Sequence, residues 1–321
     1  MTKIQEQARE LRKLWGGFQA TRVIITANSL NLFDHLEQRM TASGLAKKIK
    51  TDRRATEILL DALSGLGLIS KKAGNYKNTG TASRLLVSTG RYYQGDIIRH
   101  IDVLWDNWSN LEKVVKKGRP YHKTRNHQSF IMGMHNLSVI KAEEIINAIN
   151  LRGVHTALDL GGGPGTYTME LAKKGIRTTL FDLPETIKIA KKVVRNEGVD
   201  RKNIHFKAGE FLADDIGKGY DLILISQVLH MFSEKVNINL LRKCRKALNP
   251  KGQLVIQEFP VQENKTSPVS GALFAVNMLV NTEGGRTYSA GDIKRWFSRT
   301  GFGSAQKKNI ADAVLVSARR A

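Results

Sequence analysis

The sequence predicts an α/β fold: a doubly wound, mainly parallel sheet preceded by a smaller helical domain. Three observations predict it. Thr156 to Asp182 reads as a strand, a glycine turn, a helix and a second strand. Beyond it, apolar runs of strand length alternate with amphipathic runs of helix length, the pattern of a sheet covered by helices on both faces. Residues 41–78, in contrast, read as two capped helices followed by a hairpin. At 321 residues the chain exceeds a typical single core. We expect a first domain over 1–95, a helical linker over 96–150 and the α/β domain over 151–321.

In order, Leu11, Leu14, Trp15 and Phe18 fall at helical spacing within a charged N-terminus that does not read as a signal peptide. Thr41 can cap one short helix through Lys48, and Thr51 or Asp52 the next, through Leu63. Ile69–Ser70 and Tyr76–Asn78 flank a turn at Ala73-Gly74-Asn75. Helix, helix, hairpin is the order of a winged helix. Lys47, Lys48, Lys50, Arg53 and Arg54 give it a basic face, but Ile58, Leu59 and Leu60 follow where a DNA-reading helix offers polar side chains to base edges. From 96 to 150 the chain is helical. His100, Leu104, Trp108 and Leu111 share a face with Trp105 beside it, and Phe130, Met132, Met134 and Leu137 follow the break at Gly118-Arg119-Pro120. These bulky residues suit a core or the wall of an apolar pocket.

The stretch TALDLGGGPGTYTMELAKKGIRTTLFD is the most informative. Glycines 161, 162, 163 and 165 let the chain turn sharply and let a ligand approach the main chain. Asp182, ending the second strand, is placed to accept from a ribose. A dinucleotide fingerprint needs a third glycine where Thr166 stands, and Pro164 removes an amide that would cradle phosphate. A helix over Thr186–Asn196 leads to a third strand, Ile204–Ala208, then Gly209-Glu210-Phe211. The fourth strand, Tyr220–Ile225, ends before Ser226 and Gln227-Val228-Leu229-His230. A helix over Val236–Ala247, a Pro250-Lys251-Gly252 turn and a fifth strand, Gln253–Phe259, carry Glu258 to the next strand end. A helix at Ala290–Thr300 and a hairpin from Ser304–Asn309 and Ala313–Ala318 close the chain. Ligands of such sheets lie beyond the carboxyl ends of the strands. His230 and Glu258 belong to neighbouring strand ends and could face each other there, a base for a hydroxyl proton and a carboxylate to fix its tautomer.

Composition excludes more than it selects. A single cysteine, Cys244, precludes an internal disulfide and a cysteine-rich metal site, and suits a reducing cytoplasm. No run approaches a membrane span of ~20 apolar residues. The formal charge of +22, spread through both halves, is compatible with a solvated basic surface, a nucleic acid or an anionic membrane.

LDLGGGPGTYTMELAKK, FDLPETI, VLH and NMLVNTEGGRTYS together resemble the two-domain O-methyltransferases of the plant phenolic, acetylserotonin and bacterial tailoring types, over nearly the whole chain. The resemblance implies a class I methyltransferase Rossmann-like sheet with a C-terminal antiparallel hairpin, behind a winged-helix dimerisation domain. It implies S-adenosylmethionine as cofactor, S-adenosylhomocysteine as product, no metal, and a homodimer acting on a small molecule. Cofactor contacts would come from Asp159, Gly161, Gly162, Gly163, Gly165, Asp182, Leu183, Glu210, Phe211 and Ser226. His230 would be general base and Glu258 its support. Trp105, Phe130, Met134, Asn277 and Asn281 would face the substrate. The chain departs from the pattern at Met231 and Phe232, where relatives carry an acid and a Trp, at Glu210 in place of Asp, and at Gly285, where plant enzymes place a second glutamate. Glu283 lies two residues further back. Against a nucleic-acid methyltransferase, the fourth strand leads into Ser226-Gln227-Val228-Leu229 and not an Asn/Asp-Pro-Pro motif. A ligand-sensing winged-helix regulator would not need the His230–Glu258 pair.

Overall fold

The computed structural model describes residues 1–121, 126–310 and 312–321. They form two compact units, Met1–Val103 and Leu104–Ala321. In the first, α1 (Lys3–Ser29) starts on a capping box in which Thr2 and Gln5 satisfy each other's backbone amides. Its C-terminal end is buried at Ile25, Ala27 and Asn28, whereas Leu11, Leu14, Trp15 and Phe18 stand exposed on its N-terminal part. β1 (Met40–Thr41) precedes α2 (Ala42–Ile49), which Thr41 caps, and α3 (Arg53–Gly65), which Asp52 caps. β2 (Ile69–Lys72) and β3 (Asn75–Asn78) turn at Ala73-Gly74, both left-handed. The sheet order is β1-β3-β2. Leu32, Phe33, Leu45, Leu60, Leu63 and Tyr76 fill its core. α4 (Gly80–Leu85), capped by Thr79, follows, and α5 (Gly95–Trp108) spans the division.

The second unit opens with α6 (Leu111–Lys117), α7 (His127–Val139) and α8 (Ala142–Asn147). Leu111 therefore starts a new helix and does not continue the face of Leu104 and Trp108. Then come β4 (Thr156–Leu160), α9 (Thr166–Lys173), β5 (Arg177–Asp182), α10 (Pro184–Asn196), β6 (Ile204–Ala208), β7 (Tyr220–Ser226), α11 (Glu234–Ala247), β8 (Leu248–Glu258), α12 (Val269–Asn281), α13 (Ala290–Arg299), β9 (Gln306–Ile310) and β10 (Ala313–Arg319). The seven strands are ordered β6-β5-β4-β7-β8-β10-β9. β4 to β8 are parallel, and β10 runs antiparallel to both β8 and β9. The chain thus winds outward from β4 in one direction and then, from β7, in the other. Such a reversal opens a crevice at the strand ends.

Two more elements of this unit differ from the sequence reading. Pro250-Lys251-Gly252 is no turn between elements: β8 runs through it as a bulge, with partners jumping from Tyr220↔Leu248 to Leu222↔Gln253 and Lys251 at φ 63°. α12 is a helix that the sequence hid. Its VSGALFAVNMLVN is apolar nearly all the way round, so no 3.6-residue period stands out. Among the described residues, no helix is long and apolar enough to cross a membrane.

Candidate active site

The end of β4 builds the first wall. Asp159, fully buried, accepts from the Thr168 hydroxyl at 2.6 Å and sits directly beneath Gly162, where a Cβ would come within 2.7 Å of its carboxyl carbon. Burial pushes the Asp159 carboxyl up to about 6, the Thr168 bond offsetting part of this and the nearby Asp182 adding to it. Gly165 holds φ 83°, and a Cβ there would come within 2.8 Å of a Leu180 methyl, so the start of α9 favours a glycine at this position. Asp182, at the end of β5, accepts from the amides of Gly163 (2.8 Å) and Leu183 (2.7 Å). Burial raises its carboxyl while these two amides pull it back. Its carboxylate is thereby locked across the mouth of the glycine turn.

A cavity of about 310 Å³ opens over this turn. Gly161, Gly162, Gly163, Asp182, Leu183, Glu210, Phe211 and Ser226 line it, together with Phe130 and Met134 from α7. Asp159 and Gly165 are not in its lining; they shape the turn from below. Inner polar groups face it as well. The Tyr167 hydroxyl is buried against the polar side chains of Ser226, Ser138 and Gln257, and burial pushes it up to about 12. Ser226 donates to Gln257.

His230 lies on the turn after β7, beside the cavity residues Met231 and Phe232. Its Nδ1 is 2.8 Å from Glu258 Oε2, and its backbone amide donates to Glu258 Oε1 at 3.2 Å. One buried carboxylate therefore grips both the ring and the main chain of the same residue. Phe274 meets the imidazole edge-on at 4.9 Å between centroids, and Phe259 lies 5.8 Å away. With Nδ1–H donated to Glu258, the Nε2 lone pair is left to accept a proton. The His230 carbonyl accepts from the Arg286 amide at 2.9 Å. Gly285 packs so closely there that a Cβ would lie 2.4 Å from that carbonyl oxygen. No side chain fits at the position where plant enzymes carry a glutamate. Glu283 is exposed.

Asn277 and Asn281 lie one turn apart on α12, on the side of Phe274. Asn277 Oδ1 accepts from Trp108 Nε1 and from Asn281 Nδ2, each at 3.0 Å, and Asn281 Oδ1 accepts from Asn107 Nδ2 at 2.8 Å. These bonds fix which end of each amide is oxygen, and among the described residues the Asn277 NH₂ has no partner. Neither asparagine lines the 310 Å³ cavity, and Trp105 is half-buried on α5 outside it.

Sequence reasoning missed several residues here. Asn107, 1% exposed, sits between two Trp that drew attention first. Gln227 lines the cavity in a left-handed conformation (φ 55°) that sequence does not announce. His127 and Ser138 line it from α7, and His127 Nε2 is 3.1 Å from the Thr186 hydroxyl. The serine, eight residues from Phe130 on the same helix, was within reach of a periodicity argument.

A sheet that winds outward from its first strand, with a glycine turn at that strand's end and an antiparallel strand inserted late, is the class I S-adenosylmethionine-dependent methyltransferase fold. Human N-acetylserotonin methyltransferase, solved in complex with SAM, superposes with a TM-score of 0.90 at 24% identity, over 100% of this chain and 99% of that one. A 3-hydroxy-5-methyl-1-naphthoate 3-O-methyltransferase of Streptomyces sahachiroi is 29% identical over 91% of this chain and 88% of its own. The S-adenosyl-L-methionine-dependent methyl transferase PigF of Serratia sp. (strain ATCC 39006) is 28% identical over 92% and 90%. Residues 113–303 match the O-methyltransferase domain and residues 13–88 the O-methyltransferase dimerisation domain. The chain belongs to the S-adenosylmethionine-dependent O-methyltransferase family.

Proposed function

We propose that this O-methyltransferase methylates a hydroxyl of a small, flat aromatic molecule, with His230 as general base. The observation that carries the reading is the 2.8 Å contact of Glu258 with His230 Nδ1, which leaves Nε2 as the acceptor. The residues of the cavity suit S-adenosylmethionine. Asp182 would take a ribose, Glu210 and Phe211 an adenine, and the polar side chains of Tyr167, Ser138 and Ser226 the amino-acid tail. When bound, the cofactor's sulfonium makes a methyl group electrophilic without further activation.

The chain's own part is then to hold the acceptor hydroxyl in line and to take its proton. Glu258 turns the imidazole and stabilises the cation that forms when Nε2 takes it. Phe259 and Phe274, 4.2 Å apart, pack at the ring and offer aromatic faces to a flat acceptor. Phe130, Met134 and Met231 supply apolar lining in the cavity itself. A phenol with pKa ~10 suits a neutral imidazole better than an aliphatic alcohol. The naphthoate and acetylserotonin relatives name hydroxylated aromatic acceptors, which supports the same class. Cys244 gives no support to a cysteine-dependent transfer to nucleic-acid bases, since burial pushes its thiol up to about 12.

The exposed Leu11, Leu14, Trp15 and Phe18 on α1, in and beside the dimerisation match, support a homodimer. The test of function is incubation with methyl-labelled S-adenosylmethionine and a panel of naphthols, phenols and aliphatic alcohols. Label on phenolic oxygen supports the reading; label on aliphatic alcohols or on nitrogen alone overturns it.

A further inference from the structure

Resting on the cofactor assignment above, we infer that Lys243 is a positioning residue for the adenosine half of the cofactor site. Its place in the run Arg242-Lys243-Cys244-Arg245-Lys246 gives it the look of one more surface charge. In the fold it does something specific. Lys243 stands half-buried on α11, and its ammonium donates to two main-chain oxygens of the loop after β6: the Phe211 carbonyl, at 2.8 Å, and the Asp214 carbonyl.

That loop is otherwise closed on itself. Asp214 Oδ2 accepts from the Glu210 amide at 2.8 Å, the Glu210 carbonyl accepts from the Asp214 amide at 2.7 Å, and Glu210 Oε1 accepts from the Leu212 amide at 3.1 Å. The turn therefore holds its own shape, while Lys243 ties it to the helix that follows the His230 turn. Phe211 meets Phe232 edge-on at 6.0 Å, so both rings of this wall are set when the tie is made.

Two carbonyl oxygens converging on one point repel unless a cation sits between them. The ammonium removes that repulsion through charge-assisted bonds. It lies outside the cavity lining, so its effect on a ligand there runs through Glu210 and Phe211. Without it, the turn keeps its internal bonds but loses its tie to α11, so the ligand must fix where Glu210 and Phe211 stand, and affinity falls.

Binding of S-adenosylhomocysteine and of 5′-methylthioadenosine, which lacks the amino-acid tail, tests the assignment by calorimetry. Lys243→Met keeps length and packing but removes the charge; it should raise both dissociation constants about tenfold and by the same factor. Lys243→Arg, still a donor to two oxygens, should stay within about threefold of the parent. Unchanged constants in Lys243→Met, with or without a lowered melting temperature, overturn the inference. So does a loss confined to S-adenosylhomocysteine, or an Arg variant as weak as the Met variant. If the parent protein binds neither ligand, the cofactor assignment itself falls and takes this inference with it.

Discussion

Glu258→Gln isolates the role assigned to the carboxylate. Glu258 is 3% exposed and accepts from His230 Nδ1 and from the backbone amides of His230 and Phe259. A glutamine has one carbonyl oxygen for these donors. If that oxygen stays on the backbone, the NH₂ faces Nδ1, and the ring must move its proton to Nε2, where no base remains. If the amide flips, the oxygen keeps Nδ1 and the Phe259 amide, and the His230 amide loses its acceptor. Either way a charge-assisted hydrogen bond is lost, worth ~3 kcal/mol at the upper end, or roughly a hundredfold in rate. Single-turnover transfer from methyl-labelled S-adenosylmethionine to an acceptor identified by the screen measures the loss, and calorimetry with S-adenosylhomocysteine checks that the cofactor site is intact. We expect the chemical step to fall about a hundredfold with cofactor affinity within about threefold. A folded variant that keeps its full rate, or one whose whole deficit lies in cofactor affinity, would refute the reasoning.

The other expectations concern the supports of the site. Gly285→Ala pushes a Cβ to 2.4 Å from the His230 carbonyl oxygen; it should cost ~1–3 kcal/mol of stability and slow transfer, read by denaturation and initial rates. Trp108→Phe removes the donor to Asn277 and should raise KM for the acceptor roughly two- to tenfold with kcat retained. Asp159 has its folded pKa raised to about 6, so its protonated form favours the fold: that contribution is complete below the ordinary carboxylate range and is lost as pH rises through about 6. Asp159→Asn should therefore stabilise the cofactor-free protein at pH 8, by at most ~3 kcal/mol, and change it little at pH 4; a variant less stable at pH 8 contradicts the sign.

Much of this site was legible because strand ends declare themselves. The apolar runs closing on Asp182, Ser226 and Glu258 place those residues at the strand ends, and the glycine turn marks where the main chain lines the cavity. Caps were equally clear: Thr41 and Asp52 each do what their position before an apolar helix suggests. The rest depended on packing. α12 lacks a polar face, so its period is silent, although it supplies Phe274, Asn277 and Asn281. Gly285 reads in sequence as a missing glutamate; in the fold it is a position that contact with the His230 carbonyl keeps free of any side chain. Asn107 and Lys243 bond to residues remote in sequence, and no local pattern distinguishes an asparagine or a lysine so placed from one facing water.

The most direct measurement is single-turnover methyl transfer by His230→Ala beside its dissociation constant for S-adenosylhomocysteine. General-base catalysis by the imidazole requires a fall of at least about a hundredfold in transfer to the acceptor oxygen, with the dissociation constant held within about threefold. Transfer at the parent rate, with the cofactor still bound, would show that the proton leaves by another route and contradict the account.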